Sequence, residues 1–234
     1  MEHASDDPPS GGSFGFSEAV QQVLPWLVQA RDLGFLGPGP PETHVDHARG
    51  FVEAAGAPPA FFVDLGTGGG LPGLVLLAQW PAARGLLLDS NQRRTEFVAQ
   101  AVAALGWADR AEVRRARAEE AGRDSTLRGR ADLVVSRGFG PPPVVAECAA
   151  PLLAAGGLLV VSEPPEGDDR WPRQPLSALG MSVEALLATD YGRFQRLRQQ
   201  SPCPEAYPRR VGVPAKQPLW HVPRETSAND AQNA

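Results

Sequence analysis

Apolar residues along this chain change period partway, and the change divides it. From Ser17 to Leu33 they recur at helical spacing (Val20, Val23, Leu24, Leu27, Val28), with Ser17 placed to cap a first helix. The segment Gly37 to Pro41 breaks that pattern, a second helix is expected over His44 to Ala55, and Gly56 to Pro59 ends it. From Phe61 short apolar runs take over: FFVDL, then GLLLD at 85–89, AEV at 111–113, ADLVVS at 131–136 and GLLVVS at 157–162. Helical stretches separate them near Leu74 to Gln79, Arg93 to Leu105 and Pro143 to Leu153, each long enough for a right-handed crossover. Strand and helix in alternation mean βαβ units on a parallel sheet. No internal repeat is evident.

Both ends lack this patterning. Residues 1–14 and 224–234 are rich in Ser, Gly, Asp, Asn and Gln and read as loose tails. The organisation expected is a helical segment over 15–60, an α/β core over 61–203 and a basic terminal motif over 204–223. A chain of 234 residues, 42% hydrophobic, can bury one full core, and a monomer is expected. There is no long uncharged apolar run and no signal-peptide layout at the start, so neither membrane insertion nor export is expected. Cys148 and Cys203 are too few for a disulfide framework and suit a reducing, cytoplasmic setting. A formal charge of −5 repels a phosphate backbone on average, so any contact with nucleic acid has to be local.

The chemistry gathers at VDLGTGGGLPG, residues 63–73. A buried strand ends in an acidic residue and runs into Gly66-x-Gly68-x-Gly70 before the next helix, which lets the backbone turn sharply and approach a ligand. Asp89 ends the second strand 19 residues after Gly70, where a carboxylate can accept both hydroxyls of a ribose. Counted from Gly66 the loop runs G-x-G-x-G with Leu71 in place of the last glycine of the pyrophosphate pattern G-x-G-x-x-G, and it lacks the G-K-[ST] of a P-loop. Asp64 just before it favours a cofactor with a cationic amino-acid end over a phosphate. S-adenosylmethionine has that character.

Five motifs, VDLGTGGGLPG, LLDSNQRRTEFV (87–98), RAEE (117–120), VVSRGF (134–139) and YPRRVGVPAKQPL (207–219), together resemble the glucose-inhibited division protein B family. Its members methylate the 7-nitrogen of a guanine in small-subunit ribosomal RNA. The resemblance runs from about His44 to Leu219. It implies a Rossmann-like class I methyltransferase fold, with a mainly parallel seven-stranded sheet and helices on both faces. It places Gly66, Gly68, Gly70 and Leu71 on the cofactor, Asp89 on its ribose, Ala118 and Glu119 beside its adenine, and Arg137 at the active-site end of the fourth strand. No metal is implied.

Guanine N7 carries a free lone pair, so no general base is required; positioning and electrostatics carry the catalysis. Arg137 is expected to meet the base and Phe139 to stack on it. Arg209, Arg210 and Lys216 are expected to contact the RNA. Two features invite other assignments: His44, Asp46 and His47 read as a capped helix start instead of a metal site, and Cys148 as a small buried hydrophobe. Three departures from the family pattern stand out. Glu163 occupies the end of the fifth strand where a lysine is common, which would set a carboxylate against any phosphate. GFLGPGPPETH replaces an Asn-Leu-Thr-like segment, and Thr43 stands where an arginine usually precedes His44. They keep two alternatives open, a small-molecule methyltransferase, whose lid would have to come from the first 60 residues, and a cofactor-binding protein without catalysis.

Overall fold

Successive side chains of an extended chain point to opposite faces, and that parity sorts the whole core. In β1 (Phe61–Leu65) Phe62 enters one hydrophobic cluster, Val63 and Leu65 the other. In β2 (Arg84–Asp89) Leu87 goes one way, Leu86 and Leu88 the other. Each strand satisfies a helical layer on both faces, which is why these strands read as unbroken apolar runs. The first layer contains α1 (Glu18–Asp32), α2 (Pro41–Ala55), α3 (Gly73–Gln79) and α4 (Gln92–Ala104). The second contains α5 (Ala118–Ala121), α6 (Pro142–Ala149) and α7 (Arg173–Ala178).

The computed structural model describes residues 18–166 and 169–222; the expected tails and the Ser17 cap lie outside them. The other strands are β3 (Ala111–Arg115), β4 (Ala131–Ser136), β5 (Leu153–Glu163), β6 (Met181–Thr189) and β7 (Gly192–Gln199). They form one seven-stranded sheet in the order β3-β2-β1-β4-β5-β7-β6. The first five are parallel, whereas β7 runs antiparallel to both β5 and β6. The strand order reverses between β1 and β4, and ligands of open α/β sheets bind at the carboxyl ends beside such a reversal.

Three boundaries move from expectation. Helix α2 starts at Pro41, because proline at the first helical position gives up no hydrogen bond. Helix α6 stops at Ala149: Ala150 still holds helical angles (φ −51°, ψ −44°), but Pro151 has no amide to continue the ladder, and β5 begins at Leu153. Strand β7 has no apolar run of its own: three arginines, Arg193, Arg196 and Arg198, lie on it, and Glu184 of β6 pairs with two of them across the ladder. Residues 203–220 then return over α5 and α6 and include α8 (Val213–Lys216).

Candidate active site

The glycine loop is closed by backbone bonds before any side chain acts. The amides of Gly66 and Thr67 both donate to Leu88 O at 2.9 Å, pinning the end of β1 to β2. Gly66 sits at φ 80°, in the left-handed region, and a Cβ there would lie 2.6 Å from the Phe139 ring. At Gly73 the backbone comes so close to β1 that a Cβ would lie 2.6 Å from Asp64 Oδ2, which accepts the Gly73 amide at 2.8 Å.

These constraints leave a cleft of about 380 Å³ over the ends of β1, β2 and β3. Gly66, Asp89, Ala116, Ala118 and Glu119 line it, with Phe139 and Ala215 across from them. Asp89 Oδ2 accepts the Gly68 amide at 3.0 Å, Oδ1 accepts the Asn91 amide at 2.8 Å, and Arg94 stands 3.8 Å away. Glu119 Oε1 accepts the Gly212 amide at 2.9 Å and Arg117 Nη2 at 3.3 Å. Burial works to raise the Glu119 carboxyl, but the Gly212 amide, its own amide and Arg117 outweigh it and hold the group below the usual range. The cleft suits a nucleoside: Ala116 and Ala118 beside Glu119 at one end, the Asp89 carboxylate with lone pairs to spare, and the glycine backbone at Gly66.

A second cavity of about 290 Å³ adjoins it over the ends of β4 and β5. The two share Gly138, Phe139 and Gly140 as a common wall. Ser136, Pro142, Val145, Val161, Glu163 and Arg170 line the rest. Among the described residues, none before Leu65 lines either cavity.

Several expected site residues are placed differently. Gly68, Gly70 and Leu71 shape the loop without lining the cleft, and Gly68 reaches it through its bond to Asp89. Arg137 lines neither cavity. One residue past Ser136, it continues the parity of Leu133 and Val135 and turns toward α2, where its Nη2 donates to His44 Nδ1 at 2.9 Å. That bond assigns the His44 tautomer: Nδ1 accepts, so Nε2–H donates to Gly37 O at 3.1 Å. Arg137 Nη1 is buried with no hydrogen-bond partner. Burial lowers the Arg137 guanidinium from its ordinary value, and nearby Asp64 partly offsets this. Asp64 is itself wholly buried and does not line the cleft, and its Oδ2 holds the backbone at the start of α3. Burial raises its carboxyl to about 7, against the lowering effects of the Gly73 amide and Arg137.

Nor do His44, Asp46 and His47 cap α2, whose cap residue is Pro40 with no side-chain bond. His47 packs against Phe51 and Phe194, and burial, with Arg137 and His44 close by, lowers it to about 4. Arg209 is no free cation either. Its Nε and amide both donate to Glu147 Oε1 at 2.8 Å and its Nη2 to Oε2 at 2.6 Å, on a wholly buried carboxylate. Arg210 and Lys216 remain exposed. Glu163 does not present a bare charge: Arg170 Nε at 2.9 Å, Arg170 Nη2 and Trp171 Nε1 at 2.9 Å all donate to it. Cys148 lines the cleft, but burial, with Glu119 and Glu147 nearby, pushes its thiol far up and leaves it inert at neutral pH. Sequence patterning gave no sign of Glu147, Arg128 or Arg170, since none lies in a motif; Glu147 and Arg128 meet partners 62 and 79 residues away, and Arg170 meets Glu163 only because the chain folds back after β5.

Residues 46–167 match the family described as rRNA small subunit methyltransferase G. The chain belongs to this family. Family members named ribosomal RNA small subunit methyltransferase G include one from Parasynechococcus marenigrum, 43% identical over 165 residues, covering 67% of this chain and 66% of that relative. Another, from Synechococcus sp. strain RCC307, is 38% identical over 69% of this chain and 71% of its own. A third, from Moorella thermoacetica, is 35% identical over 69% and 70%. The fold is shared with P. horikoshii TYW2, solved in complex with MeSAdo, at a TM-score of 0.54 and 18% identity over 73% of this chain and 67% of that one. It is shared too with the 4+2 cyclase SpnF, at 0.50 and 14% over 67% and 81%. One fold carrying such different chemistry means that function has to be argued from the site.

Proposed function

We propose that this chain transfers a methyl group from S-adenosylmethionine to the 7-nitrogen of a guanine in small-subunit ribosomal RNA. The observation that carries it is the pair of adjoining cavities with one shared wall, Gly138 to Gly140, neither of which is lined by α1 or α2. The first takes the cofactor: Asp89 would hold the ribose, Ala118 and Glu119 flank the adenine, and Gly66 admit the amino-acid end. The second takes the base, with Phe139 between them. When bound, the sulfonium supplies an electrophilic methyl. Guanine N7 would accept that methyl with its own lone pair and no proton to remove, so the residues of the two cavities would act by holding base and cofactor in line. This agrees with a site whose lining carboxylates, Asp89, Glu119 and Glu163, are each engaged by hydrogen bonds and which relies on alignment.

An open approach suits a macromolecule. The lid that a small-molecule enzyme would need from the first 60 residues is not built from them among the described residues: α1 and α2 pack behind the sheet against α3. Incubating the protein with methyl-labelled cofactor, deproteinised ribosomal RNA, small subunits and a metabolite extract tests the proposal. Label should appear as 7-methylguanosine from small-subunit RNA. Label in a metabolite alone, or nowhere, overturns it.

A further inference from the structure

We infer that the Glu163–Arg170 pair reads the edge of the guanine opposite its 7-nitrogen, fixing which base enters the second cavity and which atom faces the cofactor. The inference rests on the guanine assignment above. The sheet order sets the geometry. Cofactor cleft and base cavity are divided at Phe139, after β4, and Glu163 ends β5, the next strand, so a base in the cavity spans from the shared wall to the pair. Neighbouring strands are ~4.8 Å apart, close to the width of a purine. N7 and N1 lie on opposite sides of that ring system, so turning N7 to the wall presents O6, N1–H and the 2-amino group to β5.

That edge is an acceptor followed by two donors, and the pair is its complement. Glu163 Oε2 takes both bonds from Arg170, whereas Oε1 takes only that from Trp171. A carboxylate oxygen accepts two bonds, so Oε1 keeps a lone pair for N1–H or the 2-amino group. Arg170 Nη1 donates to no described residue and is free for O6. The pair is held in place: Trp171 is buried, its amide donates to Asp169 Oδ1, and Arg170 O accepts Trp220 Nε1. Adenine in the same orientation sets its 6-amino group against Arg170 and its N1 lone pair against Glu163. A second observation points to a ligand here, because Ser136 Oγ lines this cavity, wholly buried, with no hydrogen-bond partner.

The test uses the full chain saturated with S-adenosylhomocysteine, and measures binding of guanosine, inosine and adenosine monophosphates by ligand-observed NMR. Wild type should prefer the guanine nucleotide to the adenine nucleotide by at least ~10-fold, as for hydrogen bonds to charged groups, with inosine between them. Glu163→Gln and Arg170→Gln should each cut that preference to about threefold or less while leaving S-adenosylhomocysteine affinity unchanged, since neither residue lines the cofactor cleft. Small-subunit methylation is assayed in parallel. If wild type methylates guanine N7 yet does not discriminate among the nucleotides, or both variants keep its preference, the inference is overturned and the function stands. If wild type methylates no RNA, the function itself falls. Should Glu163→Gln fail to fold, Arg170→Gln decides alone.

Discussion

Asp89 accepts two backbone amides, and each of its oxygens keeps a lone pair for a ribose hydroxyl. Its loss would therefore remove the proposed ribose contact and the bond that holds the glycine loop at Gly68. Asp89→Ala is expected to weaken S-adenosylmethionine binding by ~1.5–3 kcal/mol, measured by calorimetry; unchanged affinity in a folded variant would remove Asp89 from the cofactor site. Asp64 makes a different prediction, because its carboxyl is raised to about 7 in the folded protein from 3.8. Between those values the folded state binds more protons than the unfolded one. Asp64 therefore contributes stability that is full below about pH 4, declines as pH rises and is lost above about pH 7. Asp64→Asn keeps an acceptor for the Gly73 amide and cannot ionise, so urea midpoints followed from pH 4 to 7 should fall less steeply than in wild type. Parallel profiles would show that burial does not shift the group.

At the scale of elements, the C-terminal segment is fixed by buried side chains that mimic the missing sheet or helix bonds. Arg128 donates to four carbonyls, those of Gly122, Cys203, Pro204 and Tyr207. Glu147 on α6 takes three bonds from Arg209, and Glu119 on α5 takes the Gly212 amide. Arg209→Ala would leave Glu147 charged and buried with only the backbone amide of residue 209 on it, at a cost of ~3–5 kcal/mol in denaturant unfolding, whereas the double change Glu147→Leu with Arg209→Met should recover most of it. Equal losses in the single and double variants would mean that the pair is not what docks the segment. Nothing in PPVVAECA distinguishes Glu147 as the carboxylate that ends up buried; the partner that decides it lies 62 residues away.

At the scale of the molecule, a chain of net charge −5 has to concentrate whatever attraction it has for RNA. With Arg209 committed to Glu147, Arg210 and Lys216 are the exposed cations of the terminal segment, beside Ala215 at the rim of the cofactor cleft. Neutralising both should leave cofactor affinity intact, weaken RNA binding and flatten its salt dependence by up to ~0.7 per lost phosphate contact on a single strand. An unchanged salt slope would place the RNA on another face. The sequence by itself determined the βαβ rhythm, the glycine turn and the carboxylate on β2, because each follows from local period or from spacing along one or two elements. It determined the family as well. Only the tertiary structure decided where the charges point. Parity along β4 turned Arg137 to His44 and left Ser136 facing the second cavity, and partners distant in sequence or on other elements neutralised Arg209 and Glu163. Side chains whose roles depend on contacts between elements carry no periodic signature, and those are the residues that distinguish this site from others on the same fold.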